Sequence, residues 1–197
     1  DYLQLAGQQA GRRSAHAEAI SHLTTALELL NPLPDTAERI RQEITLQIAL
    51  GSALMATRGF AAPAVEQAYA RARELCQQVG ETPQLFPVLV GLFRVYLLRA
   101  ELQTAHELGK QCLTLAEKVH DPALLLEAHM ALGPPLLNLG EIVSAREHAE
   151  CGIALYDFRQ HRSHAFLYQT DPGVICLSTA GWALWILGYP AQALKRI

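Results

Sequence analysis

The sequence predicts an all-α fold, a right-handed α-solenoid of about five helix pairs. Three observations predict it. Strand signals are nearly absent: no alternating Val, Ile and Thr runs and no Asn-Gly or Asp-Gly hairpin dipeptides occur in the 197 residues. Helix start and stop signals recur at intervals. Small residues return at matching places in successive segments, so that two helix backbones can approach closely there.

Taken in order, residues 1–31, 35–80, 82–120, 121–156 and 171–197 each read as one helix pair of a single domain, 1–197. Asp35 with Glu38 offers a capping box to the second pair. Thr82-Pro83, Asp121-Pro122 and Asp171-Pro172 each join a capping side chain to a proline suited to the first helical position. Gly59, Gly140 and Gly188 stand where helices should stop. In the first helix of each pair a short motif recurs: Ala6-Gly7, Leu50-Gly51, Leu132-Gly133 and Ala180-Gly181, with Leu92-Phe93 as the bulky exception. In the second helix the recurring position is Ala19, Val65, Ala105, Ala145 and Ala193, and seven residues later a small residue stands at Ala26, Ala72, Cys112 and Gly152.

This pattern resembles the tetratricopeptide repeat. Leu50-Gly51, Leu54, Val65, Tyr69 and Ala72 carry the resemblance in one unit, and Leu132-Gly133, Leu136, Gly140, Ala145, Ala149 and Gly152 in another. It covers almost the whole chain, at a spacing longer than the usual 34 residues. Stretches such as ALMATRGFAAPAVEQAYARARELC are similar to the repeat region of large bacterial signalling proteins that carry a nucleotide-cyclase or kinase domain and a STAND/AAA-type ATPase. That resemblance implies the sensor or interaction arm of such a protein. The chain begins without Met and stops at LGYPAQALKRI, which reads as a piece of something longer.

Composition narrows the function. Net charge is −3 and the sixteen basic residues are scattered, with no electrostatic footprint for nucleic acid. There is no uninterrupted run of ~18 apolar residues and no signal peptide, so no membrane role and a cytoplasmic location are expected. Cys76, Cys112, Cys151 and Cys176 stand far apart, without CxxC spacing, and read as buried reduced thiols. No P-loop, GxSxG, HExxH or GxGxxG motif occurs; the expected function is non-catalytic, with no cofactor and no metal. Glu101, Glu107, Glu141 and Glu147 read as exposed helix-face residues.

The expected partner is a protein or peptide, other domains of the same polypeptide included, and an apolar groove would also favour homodimers. The repeat register turns Ser52, Met55, Arg94, Leu97, Leu98, Met130, Pro134, Leu137, Asn138, Ser178, Trp182 and Trp185 toward the concave side. Within ALGPPLLNLGE, residues 131–141, Pro134 and Pro135 should break or kink a helix and free carbonyls near 130 and 131, each proline costing ~3 kcal/mol. Residues 157–171, with Arg159, His161, Arg162 and His164, form a long connection that either closes one end of the groove or packs on the repeats. The alternative function is a small-molecule sensor, its ligand held near 133–135 and the 157–171 loop.

Overall fold

The computed structural model describes residues 2–13, 15–80, 82–161 and 170–196. Among the described residues there are eleven helices and no strand. They group into two compact units, Asp1–Leu98 and Arg99–Ile197. No helix among the described residues is long and apolar enough to cross a membrane.

The first unit holds α1 (Tyr2–Arg12), α2 (His16–Leu30), α3 (Ala37–Arg58), α4 (Pro63–Val79) and α5 (Leu85–Leu98). The start of α3 corrects the expected capping box. Thr36 is the cap, its hydroxyl accepting from the Arg39 N–H, while the Asp35 carboxylate pairs with the Arg39 guanidinium. Thr82 likewise forms a turn before α5 rather than a cap at its first residue, accepting from Gln84 N at 3.4 Å. Burial on α4 follows the helical period through Val65, Ala68, Tyr69, Ala72, Leu75 and Cys76.

Tyr69 decides how closely these helices pack. A Cβ on Gly51 of α3 would lie 2.5 Å from the ring, and one on Gly91 of α5 2.4 Å from it. The ring therefore fills a slot that exists because neither facing residue has a side chain. Burial pushes the Tyr69 hydroxyl up to about 12, an effect partly offset by the positive charge of Arg94. A second tie is ionic. Glu43 on α3, only 7% exposed, meets Arg71 Nε of α4 at 2.8 Å and Arg39 Nη2 at 3.1 Å. Arg39 Nε also donates to the Leu30 carbonyl at the end of α2, so one side-chain network joins three helices.

The second unit holds α6 (Leu102–Val119), α7 (Pro122–Asn138), α8 (Ile142–Leu155), α9 (Phe158–His161), α10 (Pro172–Ile186) and α11 (Pro190–Ala193). Asp121 caps α7 through Ala123 N and Leu124 N, and Asp171 caps α10 through Gly173 N and Val174 N, as the Asp-Pro signals indicate. The ends of these helices are built alike. Glu141 N donates to Leu136 O at 2.9 Å, and Tyr189 N to Leu184 O at 2.8 Å. The residue between is Gly140 at φ 86° in one and Gly188 at φ 88° in the other. This is the Schellman closure, in which a left-handed residue lets the chain fold back onto the last turn. Ala100 takes a positive φ of 60° after α5, where these ends use glycine.

The two prolines do not break α7. The helix runs unbroken from Pro122 to Asn138. Proline's fixed φ is itself helical, so the cost is confined to lost hydrogen bonds and the clash with the preceding turn. Packing offsets it: Ala131 is fully buried, and its carbonyl lies 3.2 Å from where a Gly109 Cβ of α6 would stand. The carbonyl near the lost bond is turned into a helix joint, not toward an open groove.

Two outcomes are expected. Gly51→Ala and Gly91→Ala each force a methyl into the Tyr69 ring and should each lower stability by about 1–3 kcal/mol in urea unfolding. Ala100→Gly removes the left-handed strain and should raise stability by roughly 0.5–1 kcal/mol in the same assay.

Candidate functional site

One face of α10 exposes several large apolar side chains. Its sequence, PGVICLSTAGWALWI, is apolar nearly all round, so packing has to select which face is covered. One edge is fitted to neighbouring helices by small residues. Tyr156, just past α8, lies 2.6 Å from where a Gly173 Cβ would be, and its hydroxyl donates to Asp171 Oδ2 at 2.9 Å. The Cys176 sulfur fills the place of a Cβ on Gly152 of α8, and the Thr179 methyl comes within 3.1 Å of that place on Gly133 of α7. Burial pushes the Cys176 thiol up to about 12, with the charges of Glu127 and Asp171 adding to it. Cys112 reaches about 12 through burial and Glu127. Both thiols therefore stay protonated at neutral pH and serve as packing groups.

The opposite edge is open. Val174 is 61% exposed, Trp182 61%, Trp185 57% and Ile186 55%. Steps of eight, three and one residues place the four within about a third of the helix circumference. The chain has two tryptophans, and both stand here.

The other groove residues are distributed differently. Met55, Arg94 and Met130 are buried, so an exposed stripe containing them is not what the structure presents. Ser52, Leu97, Pro134, Leu137 and Ser178 are half-buried, and Leu98 and Asn138 are exposed. The Asn138 amide donates to the Pro134 carbonyl at 2.8 Å. In the long connection Arg159 is exposed while His161 is buried, with its Nδ1 accepting from Asp157 N at 2.9 Å. Arg162 and His164 lie outside the described residues. Of the cysteines, Cys151 corrects the expectation of burial: it is exposed on α8. The four glutamates read as helix-face residues, Glu101, Glu107, Glu141 and Glu147, are all exposed.

Two further features carry no signal in sequence spacing. The first is a polar cavity of about 570 Å³ in the first unit, lined by Glu38, Arg41, Gln42 and Thr45 of α3 and by Gln84, among others. Its lining includes none of residues 133–135. The second is a histidine pair: His129 of α7 and His148 of α8 face each other Nδ1 to Nδ1 at 3.0 Å, with ring centroids 5.2 Å apart. At that distance one nitrogen donates and the other accepts. Burial lowers the His129 pKa, as does the neighbouring His148, against an opposing effect of Glu117. Burial also lowers that of His148; Glu147 opposes this and His106 adds to it. Nineteen residues separate the pair in sequence, so only the α7–α8 turn brings the rings together.

No family model matches the chain. It is 25% identical over 188 residues to an uncharacterized protein of Rhizobium meliloti (strain 1021), a match covering 93% of this chain. The chain spans 18% of that relative's length.

The histidine pair gives stability a defined pH dependence. Both folded-state values lie below the ordinary 6.5, so above that pH neither state holds an extra proton. As pH falls below it, the unfolded chain takes up protons that the folded pair refuses, and stability declines until the folded-state values are passed. Urea midpoints should drop between about pH 7.5 and 5.5, and drop less in a His129→Gln, His148→Gln variant.

Proposed function

We propose that this chain is a non-catalytic protein-interaction module: helix pairs of tetratricopeptide type stacked as a right-handed solenoid, within a larger cytoplasmic signalling protein of bacteria. The observation that carries the reading is the open face of α10, where Trp182 and Trp185 stand 61% and 57% exposed. Aromatic residues are enriched at protein contact surfaces, and apolar side chains gathered on one face favour association. Polar atoms are sparse on that face, which suits an apolar helix or peptide better than a charged one.

The repeat reading is supported by the matched ends of α7 and α10. Gly133 and Gly181, Leu136 and Leu184, Gly140 and Gly188, and Ala145 and Ala193 keep one constant spacing. The closing hydrogen bonds agree at each point. A setting within a long polypeptide is in keeping with a relative of which this chain spans 18%. The ATPase and the cyclase or kinase domain of that protein are proposed from the resemblance of stretches such as residues 53–76. The small-molecule alternative finds less support near residues 133–135, where α7 is continuous and the Ala131 carbonyl lies in a packed joint.

A Trp182→Ala, Trp185→Ala variant tests the reading. Exposed side chains contribute little to folding, so urea unfolding should shift by less than about 0.5 kcal/mol. A partner retained by immobilised wild-type chain should be lost from the variant. Early melting of the variant would place the tryptophans in the core and remove the interaction surface.

A further inference from the structure

Helices α7 and α8 hold two imidazoles at a fixed separation, and the packing around them explains why. The His129 Cβ lies 3.7 Å from where a Gly152 Cβ would stand, so α7 passes close to α8 at that point. His148 is one turn before Gly152 on the same side of α8. Ala128 and Met130, on either side of His129, are buried, as is Ala149 beside His148. Both backbones are therefore seated in the core while the rings themselves are half-buried. Groups carried on packed helices keep their spacing better than groups on loops.

The spacing of the two Nδ1 atoms suits more than a hydrogen bond. Zinc binds imidazole nitrogen at about 2.0–2.1 Å, which puts two nitrogens on one ion about 2.8–3.4 Å apart, from right-angled to tetrahedral arrangement. The two Nδ1 atoms are 3.0 Å apart. They face each other nearly head-on, and the broad χ2 freedom of histidine lets both rings tilt toward a common point. The surrounding charge favours a cation: Glu117 of α6 acts on His129 and Glu147 of α8 on His148, with His106 of α6 opposing at His148.

We propose that His129 and His148 together bind a divalent metal ion of the Zn²⁺ class through their Nδ1 atoms, tying α7 to α8. Imidazole suits Zn, Cu and Ni ions, whereas Mg²⁺ and Ca²⁺ take oxygen ligands. Among the described residues no third His, Cys, Asp or Glu joins the pair in a group able to hold a metal ion. The site is built on two protein ligands, with water in the remaining positions. When the ion enters, the ring that donates through Nδ1 carries its proton on Nε2 instead, so both lone pairs reach the metal and no proton leaves. Spacing in the sequence pointed to no metal, because the two ligands are nineteen residues apart on different helices.

The test is titration of Zn²⁺ into the untagged 197-residue chain at neutral pH, by calorimetry and by NMR of the histidine rings. The chain has eight histidines, so a His129→Gln, His148→Gln variant sets the background. Wild type should bind one ion that this variant does not, and Zn²⁺ should raise the urea midpoint of the wild type only. Either single variant should weaken that ion's binding by more than about tenfold, the least that loss of an outer-shell partner costs. Cu²⁺ should displace Zn²⁺ from the pair, and Mg²⁺ should not. At substoichiometric Zn²⁺ the rings of His129 and His148 should shift first. Equal Zn²⁺ binding by wild type and double variant, or undiminished binding by either single variant, would overturn the inference. Circular dichroism checks that the variants are folded. Should one unfold, the wild-type ring signals decide alone, and first shifts at other histidines would overturn the site.

Discussion

Helix joints in this chain depend on matched volume: where one side chain is large, the residues facing it must have none. Tyr69 is the clearest case, with glycine on the helix to either side of it. In the second unit the corresponding place on α8 belongs to Ala149, four residues after Ala145 as Tyr69 is four after Val65. There the volume is supplied instead by Thr179 of α10 against Gly133. The place is filled from a different helix in each unit. Cores tolerate such exchanges when volume is conserved and respond strongly when it is not. Other joints, such as those made by the Glu43 ion network, add to a geometry that these contacts have already set.

Much of the helical architecture was legible because its causes are local. Asp121 and Asp171 act as caps through atoms two and three residues away, and Gly140 and Gly188 end helices through their own φ. The small-residue pattern was visible because close backbone approach leaves a residue-type record. The expected break at Pro134 and Pro135 failed for a non-local reason: the helix is held by what packs on it, including Gly109 of α6. The Asp35 capping box failed by one residue, because Thr36 competes for the same role and Asp35 has a nearby arginine.

The site was legible only in part. Trp182 and Trp185 stand on the surface, whereas Met55, Arg94 and Met130 are buried. A periodic pattern tells which side of a helix a residue occupies; whether that side is covered depends on neighbours far along the sequence. The His129–His148 contact and the buried Glu43 and Glu127 were invisible for the same reason, since each is defined by a partner or an environment on another helix.

The open face of α10 bears on selectivity. Its exposed side chains Val174, Trp182, Trp185 and Ile186 carry two indole N–H groups and are otherwise apolar. A surface so poor in directional groups distinguishes ligands by size and shape, and a methylene more or less changes affinity by only about 1–3 kcal/mol. Side chains of similar bulk would be accepted interchangeably, whereas a ligand carrying a carboxylate into the contact would be disfavoured, because two indole N–H groups replace only part of the hydrogen bonding its water supplies. Discrimination at this face is therefore exclusion of charge, with little power to choose among apolar sequences.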